Sequence, residues 1–324
     1  MVLKAFISDS IQEAKTLLQN GDVVAIPTET VYGLAANALN ATAVAKIFEA
    51  KNRPFFDPLI VHVASVEAAE KYVQAIPAPL LRLMQTFSPG PLTVLLKKKD
   101  VIPDIVTSGL DTVGIRIPNH PLTLALLAEL DFPLCAPSAN PFGYVSPTSA
   151  QHVFNQLADR IPFILDGGKC SVGVESTIVG MENGEVVVYR LGGIAIEDIE
   201  RVAGKVKFNI SQGSNPKAPG MLDVHYAPST QLHVGDVRSL ATQFQALRLG
   251  LISFSDAYSD YPFIQRNVLS PTGNLNEAAA NLFEALRSFD ETSIDIIIAE
   301  TFPEEGLGRA INDRLRRAST KQNT

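Results

Sequence analysis

Polar side chains follow apolar runs at several places in this 324-residue sequence. In VVAIPTETVYGLA, the apolar residues 23–26 precede Thr28, Glu29 and Thr30, which offer two hydroxyls and a carboxylate. An apolar run without polar alternation is typical of a buried strand, and open α/β sheets hold their ligands at strand ends. The segment therefore predicts one wall of a binding pocket.

Two cations follow a predicted helix that begins after Asn40. Lys51 and Arg53 lie at its end, and the prolines at positions 54 and 58 stiffen the loop that follows. Cations suit the C-terminus of a helix for electrostatic reasons alone. A helix-end role and phosphate binding are therefore the two alternatives for this pair.

Two further basic residues lie within predicted strands. His62, in LIVHV, shares a strand face with Ile60 and Ala64, which is typical of a hydrogen-bonded core histidine as well as of a ligand-binding one. Arg116 lies in VGIRIP between apolar neighbours. A guanidinium within a sheet needs an anionic partner, which is either an internal carboxylate or a bound ligand.

Three later segments repeat the opening pattern. CAPSAN places Ser138 and Asn140 after an apolar run, GVESTIVG places Glu175 and Ser176 at a strand start, and VYRLGG places Arg190 at a strand end. Turn capping and solvation of a sheet edge are the structural alternatives. Taken together, the segments predict several polar groups around one edge of a sheet.

These residues must be positioned by alternating helices and strands. Helical periodicity follows Ser10, Asn40 and Ser65, and apolar runs at 59–63, 93–96 and 113–117 predict strands. Asn183 and Gly184 separate two further strands, at 177–181 and 185–189, as in a type I′ hairpin. The pattern predicts an α/β protein with a mixed sheet.

The length favours two domains. The stretch SQGSNPKAPGMLDVHYAP, residues 211–228, has no apolar periodicity and marks a connector. Beyond it, strands at 231–234, 249–254 and 294–299 alternate with helices, which predicts a small doubly wound unit. A final helix carries charged residues spaced like a solvated face, namely Arg309, Asp313, Arg316 and Arg317.

Composition excludes several classes of protein. The net charge of −7 argues against an extended basic face for nucleic acid, and two isolated cysteines exclude a disulfide framework and a cysteine zinc site. The N-terminus lacks a signal-peptide pattern, and each apolar run is too short to span a bilayer. Walker, GxSxG and HExxH motifs are absent. We expect a soluble, cytoplasmic protein without a membrane partner.

Seven segments in order carry a resemblance to a known family. PTETVYGLA, KNRPFFDPLIVHV, GPLTVLL, VGIRIPNHP, APSANPFG, GVESTIV and YRLGG resemble the YrdC-like threonylcarbamoyl-AMP synthases, and PGMLDVHYAP with GLGRAINDRLRRA is similar to the linker and C-terminal domain of the family's long form. The resemblance implies a twisted mixed sheet with flanking helices around a central cavity. It predicts a catalytic domain at 1–210, a linker over the active site at 211–229 and a small Rossmann-like domain at 230–324.

The resemblance also implies an activity. Such an enzyme joins L-threonine, bicarbonate or CO₂, and ATP with its Mg²⁺ into threonylcarbamoyl adenylate, and it releases pyrophosphate. Separate proteins then transfer the threonylcarbamoyl group to tRNA, and whether this chain binds tRNA directly stays open. The threonine amine would capture CO₂ and the carbamate would attack the α-phosphorus, so the enzyme would act by positioning and charge stabilisation.

Carried over by motif, the resemblance assigns the candidate site residues to two groups. L-threonine would be bound by Thr30, His62, Arg116, the backbone at Ala136, and Ser176. ATP would be bound by Lys51, Arg53, Asp57, Thr112, Ser138, Asn140, Ser146, Arg190 and Tyr226. Lys51 and Arg53 would also be catalytic, and the resemblance assigns no protein ligand to a metal.

Two other functions compete with this one. An RNA-binding module of the same fold is suggested by the basic run at 97–99, although the overall acidity opposes it. A carbamoyltransferase of the hydrogenase-maturation type contains a similar domain. Such proteins also carry cysteine-rich zinc motifs, which Cys135 and Cys170 alone cannot supply.

Overall fold

The computed structural model describes residues 4–210 and 226–320, without the side chain of Glu291. Of the predicted linker 211–229, residues 211–225 lie outside the described residues. The predicted boundaries at 210 and 230 therefore stay a prediction. No helix within the described ranges combines the length and the apolar character that crossing a bilayer requires.

Residues 4–210 form a mixed sheet of eleven described strands with helices around it. The strands are β1 (Phe6–Ser8), β2 (Val24–Ile26), β3 (Gly33–Asn37), β4 (Ile60–His62), β5 (Leu92–Lys97), β6 (Thr112–Arg116), β7 (Leu134–Cys135), β8 (Phe163–Leu165), β9 (Thr177–Glu182), β10 (Glu185–Arg190) and β11 (Lys207–Phe208). The helices are α1 (Ile11–Gln19), α2 (Ala41–Lys51), α3 (Val66–Ala69), α4 (Ala78–Phe87), α5 (Asp104–Thr107), α6 (Pro121–Glu129), α7 (Ala150–Leu157) and α8 (Ile196–Ala203). The spatial order is β1-β8-β2-β3-β7-β4-β6-β5-β9-β10-β11, with both parallel and antiparallel pairs. The predicted mixed α/β fold is confirmed.

Local sequence signals set the helix ends. The side chain of Ser10 accepts a hydrogen bond from the backbone of α1, and Asn40 does the same for α2. Helix α2 ends at Lys51 because Asn52 takes the left-handed conformation, with φ 51°. This turn directs the chain into the loop that carries Arg53.

The predicted hairpin is confirmed. Strands β9 and β10 pair antiparallel, and Asn183 and Gly184 between them have φ values of 51° and 82°. A type I′ turn requires positive φ at both central residues. The hairpin brings the end of β10 back to the start of β9, so Arg190 is paired with Ile178.

Residues 226–320 form a second unit around a parallel sheet. Its elements are β12 (Gln231–Val234), α9 (Val237–Gln243), β13 (Leu249–Ser253), β14 (Gln265–Val268), α10 (Leu275–Ser288), a 3₁₀ turn (Phe289–Glu291), β15 (Ile296–Ala299) and α11 (Gly308–Ser319). The strand order is β12-β15-β13-β14. Along β15, Ile296 and Ile298 pack with α9, whereas Ile297 and Ala299 pack with α10 and α11. Both faces are covered, which confirms a doubly wound unit.

The second unit packs directly against loops of the first. One apolar cluster combines Val31, Val145 and Val174 with Phe283 and Leu315, which lie on α10 and α11. Because burial of apolar surface stabilises such contacts, the two helices are fixed against the loops that follow β2, β7 and β8. Those loops carry several of the predicted site residues.

Candidate active site

Strand directions bring distant residues to one edge of the large sheet. Strands β4 and β6 run parallel with His62 opposite Arg116, so both side chains lie at carboxyl ends. Strand β5 runs antiparallel to β6 and begins there, and β9 begins beside it. Strand β10 ends there with Arg190. The predicted convergence of strand ends is confirmed.

A cavity of about 50 Å³ lies at this edge, and it is partly open to solvent. Its lining residues come from both strand ends and loops, and they are Thr28, Val31, Gly33, Arg53, Pro58, Leu59, Ile60, His62, Arg116, Ala136, Pro137, Ser138, Glu175, Arg190 and Tyr226. Seven of them are predicted site residues, namely Arg53, His62, Arg116, Ala136, Ser138, Arg190 and Tyr226. The structure thus gathers residues from positions 53 to 226 around one space.

Arg116 meets both an internal carboxylate and the cavity. Its Nη2 donates to Glu29 Oε1 at 2.9 Å and to Thr30 Oγ1 at 2.8 Å. Its Nε is buried and has no hydrogen-bond partner within residues 4–210 and 226–320. Leaving a buried donor unmatched costs about 1–3 kcal/mol. Arg116 also lines the cavity, so this donor belongs to a side chain that borders the space where an anion could bind.

Glu29 is a site residue that the motif assignment omitted. Its Oε2 accepts a hydrogen bond from the backbone of Asn119 at 2.9 Å, while Oε1 holds Arg116. The carboxylate therefore ties the loop after β2 to the segment after β6. Its place in the PTET segment, directly after a buried strand, was the available sequence signal.

His62 lies in the wall as a neutral imidazole. Its side chain is buried, and Nδ1 lies 3.2 Å from the carbonyl oxygen of Ile60. Burial and the adjacent Arg116 lower the pKa of His62 to about 3. If Nδ1–H donates to Ile60, Nε2 of the neutral ring can accept a hydrogen bond from a ligand, and near neutral pH the ring carries no charge toward a phosphate.

Thr30 and Ser176 lie immediately behind the lining residues. Both are fully buried. The hydroxyl of Thr30 bonds to that of Thr28 at 2.8 Å and accepts from Arg116. Ser176 Oγ lies 2.7 Å from Thr93 Oγ1 and accepts from Arg190 at 3.0 Å. Both hydroxyls brace arginines that line the cavity.

Arg53 is held at the cavity by Asp57. Its Nη2 lies 2.8 Å from Asp57 Oδ2, and it also donates to the carbonyl of Pro58 at 3.1 Å. Both side chains are buried. Burial lowers the pKa of Arg53 and the Asp57 charge opposes that shift, so the pair keeps a cation in an apolar wall.

Lys51 lies behind the wall rather than in it. Its ammonium donates to the carbonyls of Ser138 and Asn140, each at 2.5 Å. The amide of Asn140 donates in turn to the carbonyl of Tyr144 at 2.8 Å. These bonds fix the loop that presents Ser138 to the cavity. Burial, together with Arg53, lowers the pKa of Lys51 well below its usual range.

Besides Lys51, Asp57 and Asn140, two more predicted nucleotide residues lie outside the lining, namely Ser146 and Thr112. Ser146 donates to Glu175 Oε1 at 2.6 Å, so it contacts the wall from behind. Thr112 begins β6 opposite Lys97, four residues before Arg116, which places it about 13 Å along the strand from that side chain. The structure does not bring Thr112 to this cavity, and its role stays a prediction.

The second unit contributes a group that the sequence did not indicate. Arg314, on α11, is fully buried, and its Nε donates to Glu175 Oε2 at 2.8 Å. The solvated face predicted for this helix is wrong for Asp313 and Arg317, which are 5% and 2% exposed. Asp313 accepts hydrogen bonds from Arg314 at 2.7 Å and from Arg317 at 3.0 Å. This pairing offsets the cost of burying the charges.

Family comparisons agree with this arrangement. Residues 16–192 match the family model described as Telomere recombination, and residues 194–320 match the threonylcarbamoyl-AMP synthase C-terminal domain. The chain is 43% identical to the threonylcarbamoyl-AMP synthase of Bacillus subtilis, over 95% of this chain and 92% of that protein. It is 41% identical to the Pyrococcus abyssi enzyme of the same name, over 95% and 94%.

Solved structures extend the comparison to the fold. The crystal structure of P. abyssi Sua5 complexed with L-threonine matches with a TM-score of 0.91 and 39% identity, over 98% of both chains. Full-length HypF in the phosphate- and nucleotide-bound form matches with a TM-score of 0.51 and 27% identity, over 56% of this chain and 29% of that one. This chain therefore belongs to the threonylcarbamoyl-AMP synthase family, in its two-domain form.

Proposed function

We propose that this chain forms threonylcarbamoyl-AMP and pyrophosphate from L-threonine, bicarbonate or CO₂, and ATP. The observation that carries the proposal is one cavity lined by Arg53, Arg116 and Arg190, in which Arg116 retains an unmatched buried donor. The relative from P. abyssi, with which this chain shares its fold throughout, was solved with L-threonine bound.

The amino acid would bind at the Arg116 side of the cavity. Arg116 Nε would donate to the threonine carboxylate, while Glu29 and Thr30 hold the other arm of the guanidinium. Neutral His62 would orient a polar group of the substrate without attracting a phosphate. Apolar neighbours such as Ile60 and Ala136 would exclude water around the side chain.

The nucleotide would bind at the Arg53 and Arg190 side. Arg53 is oriented by Asp57, and Arg190 donates to the carbonyl of Ser176 at 2.8 Å. Burial lowers the pKa of Arg190 to about 10, which leaves it charged at neutral pH. Two fixed guanidiniums in a low-dielectric wall favour a polyphosphate over water.

The reaction needs no nucleophile from the protein. The threonine amine adds to CO₂ and loses a proton to solvent, which forms the carbamate. A carbamate oxygen then attacks the α-phosphorus in line with the departing pyrophosphate. Arg53 and Arg190 would stabilise the charge that develops, and Arg116 would hold the attacking carbamate at reacting distance.

Mg²⁺ would enter with ATP. Glu175 and Asp57 are the carboxylates nearest the nucleotide side, and both are paired with buried arginines. Within the described ranges, no group of three or more His, Cys, Asp and Glu side chains could hold a metal ion. The side chains therefore fit a cation that is ligated mainly by ATP phosphates, where it would neutralise their charge.

The RNA-binding alternative loses its main support in the structure. Lys98 pairs with Asp104 at 2.6 Å, and Lys99 donates to the carbonyl of Glu70 at 2.6 Å. Two of the three lysines in the basic run are thus engaged within their own domain. We propose that separate proteins carry out the later transfer to tRNA and that the reaction takes place in the cytoplasm.

The proposal is tested by incubating the full chain with ATP, Mg²⁺, bicarbonate and L-threonine. We expect pyrophosphate release that depends on threonine, and an adenylate with the mass of threonylcarbamoyl-AMP. Serine and alanine in place of threonine should give much slower release. Absence of pyrophosphate, together with a threonine-independent and salt-sensitive shift of bare tRNA, would favour the RNA-binding module instead.

A further inference from the structure

A buried arginine of the second unit contacts the cavity wall from behind. Arg314 Nη2 donates to the carbonyl of Leu191 at 2.8 Å, and its Nε donates to Glu175 at 2.8 Å. Its guanidinium carbon lies 5.0 Å from the centre of the Tyr226 ring. Glu175 and Tyr226 both line the cavity, whereas Arg314 does not. One side chain thus holds two wall residues.

Glu175 is a buried anion on the side where ATP would bind. Burial raises its pKa, but the nearby charges of Arg314 and Arg190 outweigh burial and lower the pKa to about 2. Its second oxygen accepts from Ser146 at 2.6 Å. Without Arg314, this carboxylate would repel a polyphosphate in the cavity.

The position of Arg314 is itself fixed by its own unit. Asp313 Oδ2 accepts from Arg314 Nη1 at 2.7 Å and from Arg317 Nε at 3.0 Å. On its other side, Tyr226 stacks on Phe283 of α10, with ring centres 5.5 Å apart. The tyrosine is therefore held between two side chains of residues 230–320.

We propose that Arg314 is a positioning residue for ATP: it holds Glu175 and Tyr226 in the wall and offsets the Glu175 charge, so the nucleotide side is complete only with the second unit docked. This inference rests on the proposed function only in taking ATP as the ligand. It gives the second unit a direct part in substrate binding.

The test compares Arg314→Gln with Arg316→Gln in the full-length chain. Arg316 lies on the same helix and bonds to the same Asp313 at 2.7 Å, but its side chain is 57% exposed. Calorimetric titration with ATP and Mg²⁺ should show a Kd raised about tenfold or more in Arg314→Gln, because a buried charge loses its partner. Arg316→Gln should stay within about twofold, as expected for an exposed pair. The Kd for L-threonine should change little in either variant.

The double variant Arg314→Gln/Glu175→Gln distinguishes an uncompensated charge on Glu175 from a general disruption of the structure. If Arg314 acts by offsetting Glu175, the double variant should bind ATP more tightly than Arg314→Gln alone. Equal or weaker binding by the double variant would overturn the charge argument. Should Arg314→Gln fail to fold, Arg314→Lys replaces it, because lysine keeps the charge but cannot bond to Glu175, Asp313 and Leu191 together. A raised Kd is then expected, and an unchanged Kd contradicts the positioning role.

The outcomes for this inference and for the proposed function are distinct. A chain that binds ATP and shows the Arg314 effect, but makes no threonylcarbamoyl-AMP, would refute the function and support the inference. A chain that makes the product while Arg314→Gln binds ATP as Arg316→Gln does would refute the inference alone.

Discussion

At the scale of single residues, the site combines fixed charge with incomplete hydrogen bonding. Nη2 of Arg116 has three partners, Thr28, Glu29 and Thr30, whereas Nε has none among the described residues. Arg53 and Asp57 form a buried pair that faces the same cavity. A buried group that lacks one partner costs stability in the free protein, and a ligand that supplies the partner recovers it. Such residues are where substitutions should separate binding from folding.

Arg116→Gln should weaken L-threonine binding about a hundredfold, because the carboxylate loses its charged donor. ATP binding, measured separately by titration without threonine, should change by less than about threefold, since we propose that Arg53 and Arg190, rather than Arg116, bind the phosphates. Equal losses for both ligands would contradict the assignment of Arg116 to the amino acid.

The lowered pKa of His62 predicts the direction in which the stability of the protein changes with pH. Burial and Arg116 lower its folded pKa to about 3, whereas an unfolded histidine titrates near 6.5. Between these values the unfolded state binds the proton and the folded state does not. The free energy of unfolding should therefore fall as pH falls below 6.5, by up to about 1.4 kcal/mol per pH unit from this group.

Urea unfolding at several pH values between 7.5 and 5 checks this slope. His62→Asn should make the slope shallower, even if it lowers stability overall. Burial and Arg287 lower the pKa of His152 to about 4, so its folded form also stays deprotonated above pH 5. It should contribute a part of the same sign and of similar size to the slope. A slope that is identical in wild type and His62→Asn would contradict the interpretation.

At the scale of elements, the two glycines that flank β10 are required for different steric reasons. Gly184 lies at the hairpin tip with φ 82°, and among the described residues beyond its two chain neighbours no atom lies within 4 Å of an added Cβ. Gly192 follows the other end, where an added Cβ would lie 2.3 Å from the carbonyl oxygen of Glu175. The first glycine serves the turn, and the second allows the chain to pass closely behind the cavity wall.

Gly192→Ala should destabilise the protein by about 1–3 kcal/mol and also weaken ATP binding, because the backbones at Glu175 and Arg190 must move apart. Gly184→Ala is the matched control, with a loss of about 1–2 kcal/mol from the left-handed backbone and an unchanged Kd for ATP. Unfolding and titration measured on both variants decide the matter. An unchanged Kd in Gly192→Ala would show that the wall tolerates the shift.

Much of this element structure could be predicted from the sequence, because its causes are local. Caps at Ser10 and Asn40, the Asn183-Gly184 turn and polar residues after apolar strands all act within a few residues. The short strand β3, GLAAN, lacks β-branched residues and offers no such pattern. The contact between Arg314 on α11 and Glu175 could not be predicted either. Periodicity shows which residues share a helix face but not which charged residues that face will contact.

At the scale of the whole molecule, the two units share one apolar cluster and several charged contacts. Arg287 on α10 donates to the carbonyls of Val145 and Ser146, and its guanidinium lies 5.0 Å from the ring centre of Tyr144. These partners belong to the loop after β7. The second unit thus holds that loop as well as Glu175, so docking and site geometry are coupled.

Arg287→Gln should therefore lower the stability of docking by about 2–4 kcal/mol, since buried carbonyls lose a charged donor. Arg309→Gln is the control, because Arg309 bonds to Glu197 across the same interface but both side chains are partly exposed; its loss should stay below about 1 kcal/mol. Urea unfolding followed by two probes, one in each unit, should show separated transitions only in Arg287→Gln. Coincident transitions there would contradict the coupling.

The uncharged imidazole in the cavity wall has a consequence for turnover. His62 stays neutral and Arg190 stays charged through the ordinary range of cellular acidity, so these two wall residues offer reactants a constant charge in that range. For the reactants proposed above, the pH dependence of the rate would then come largely from the reactants themselves: the balance between hydrated and free carbon dioxide, and the fraction of threonine whose amine has lost its proton. The charge of these wall residues would stay the same over this pH range, and the carbonate equilibria of the medium would determine how the reaction rate changes with pH.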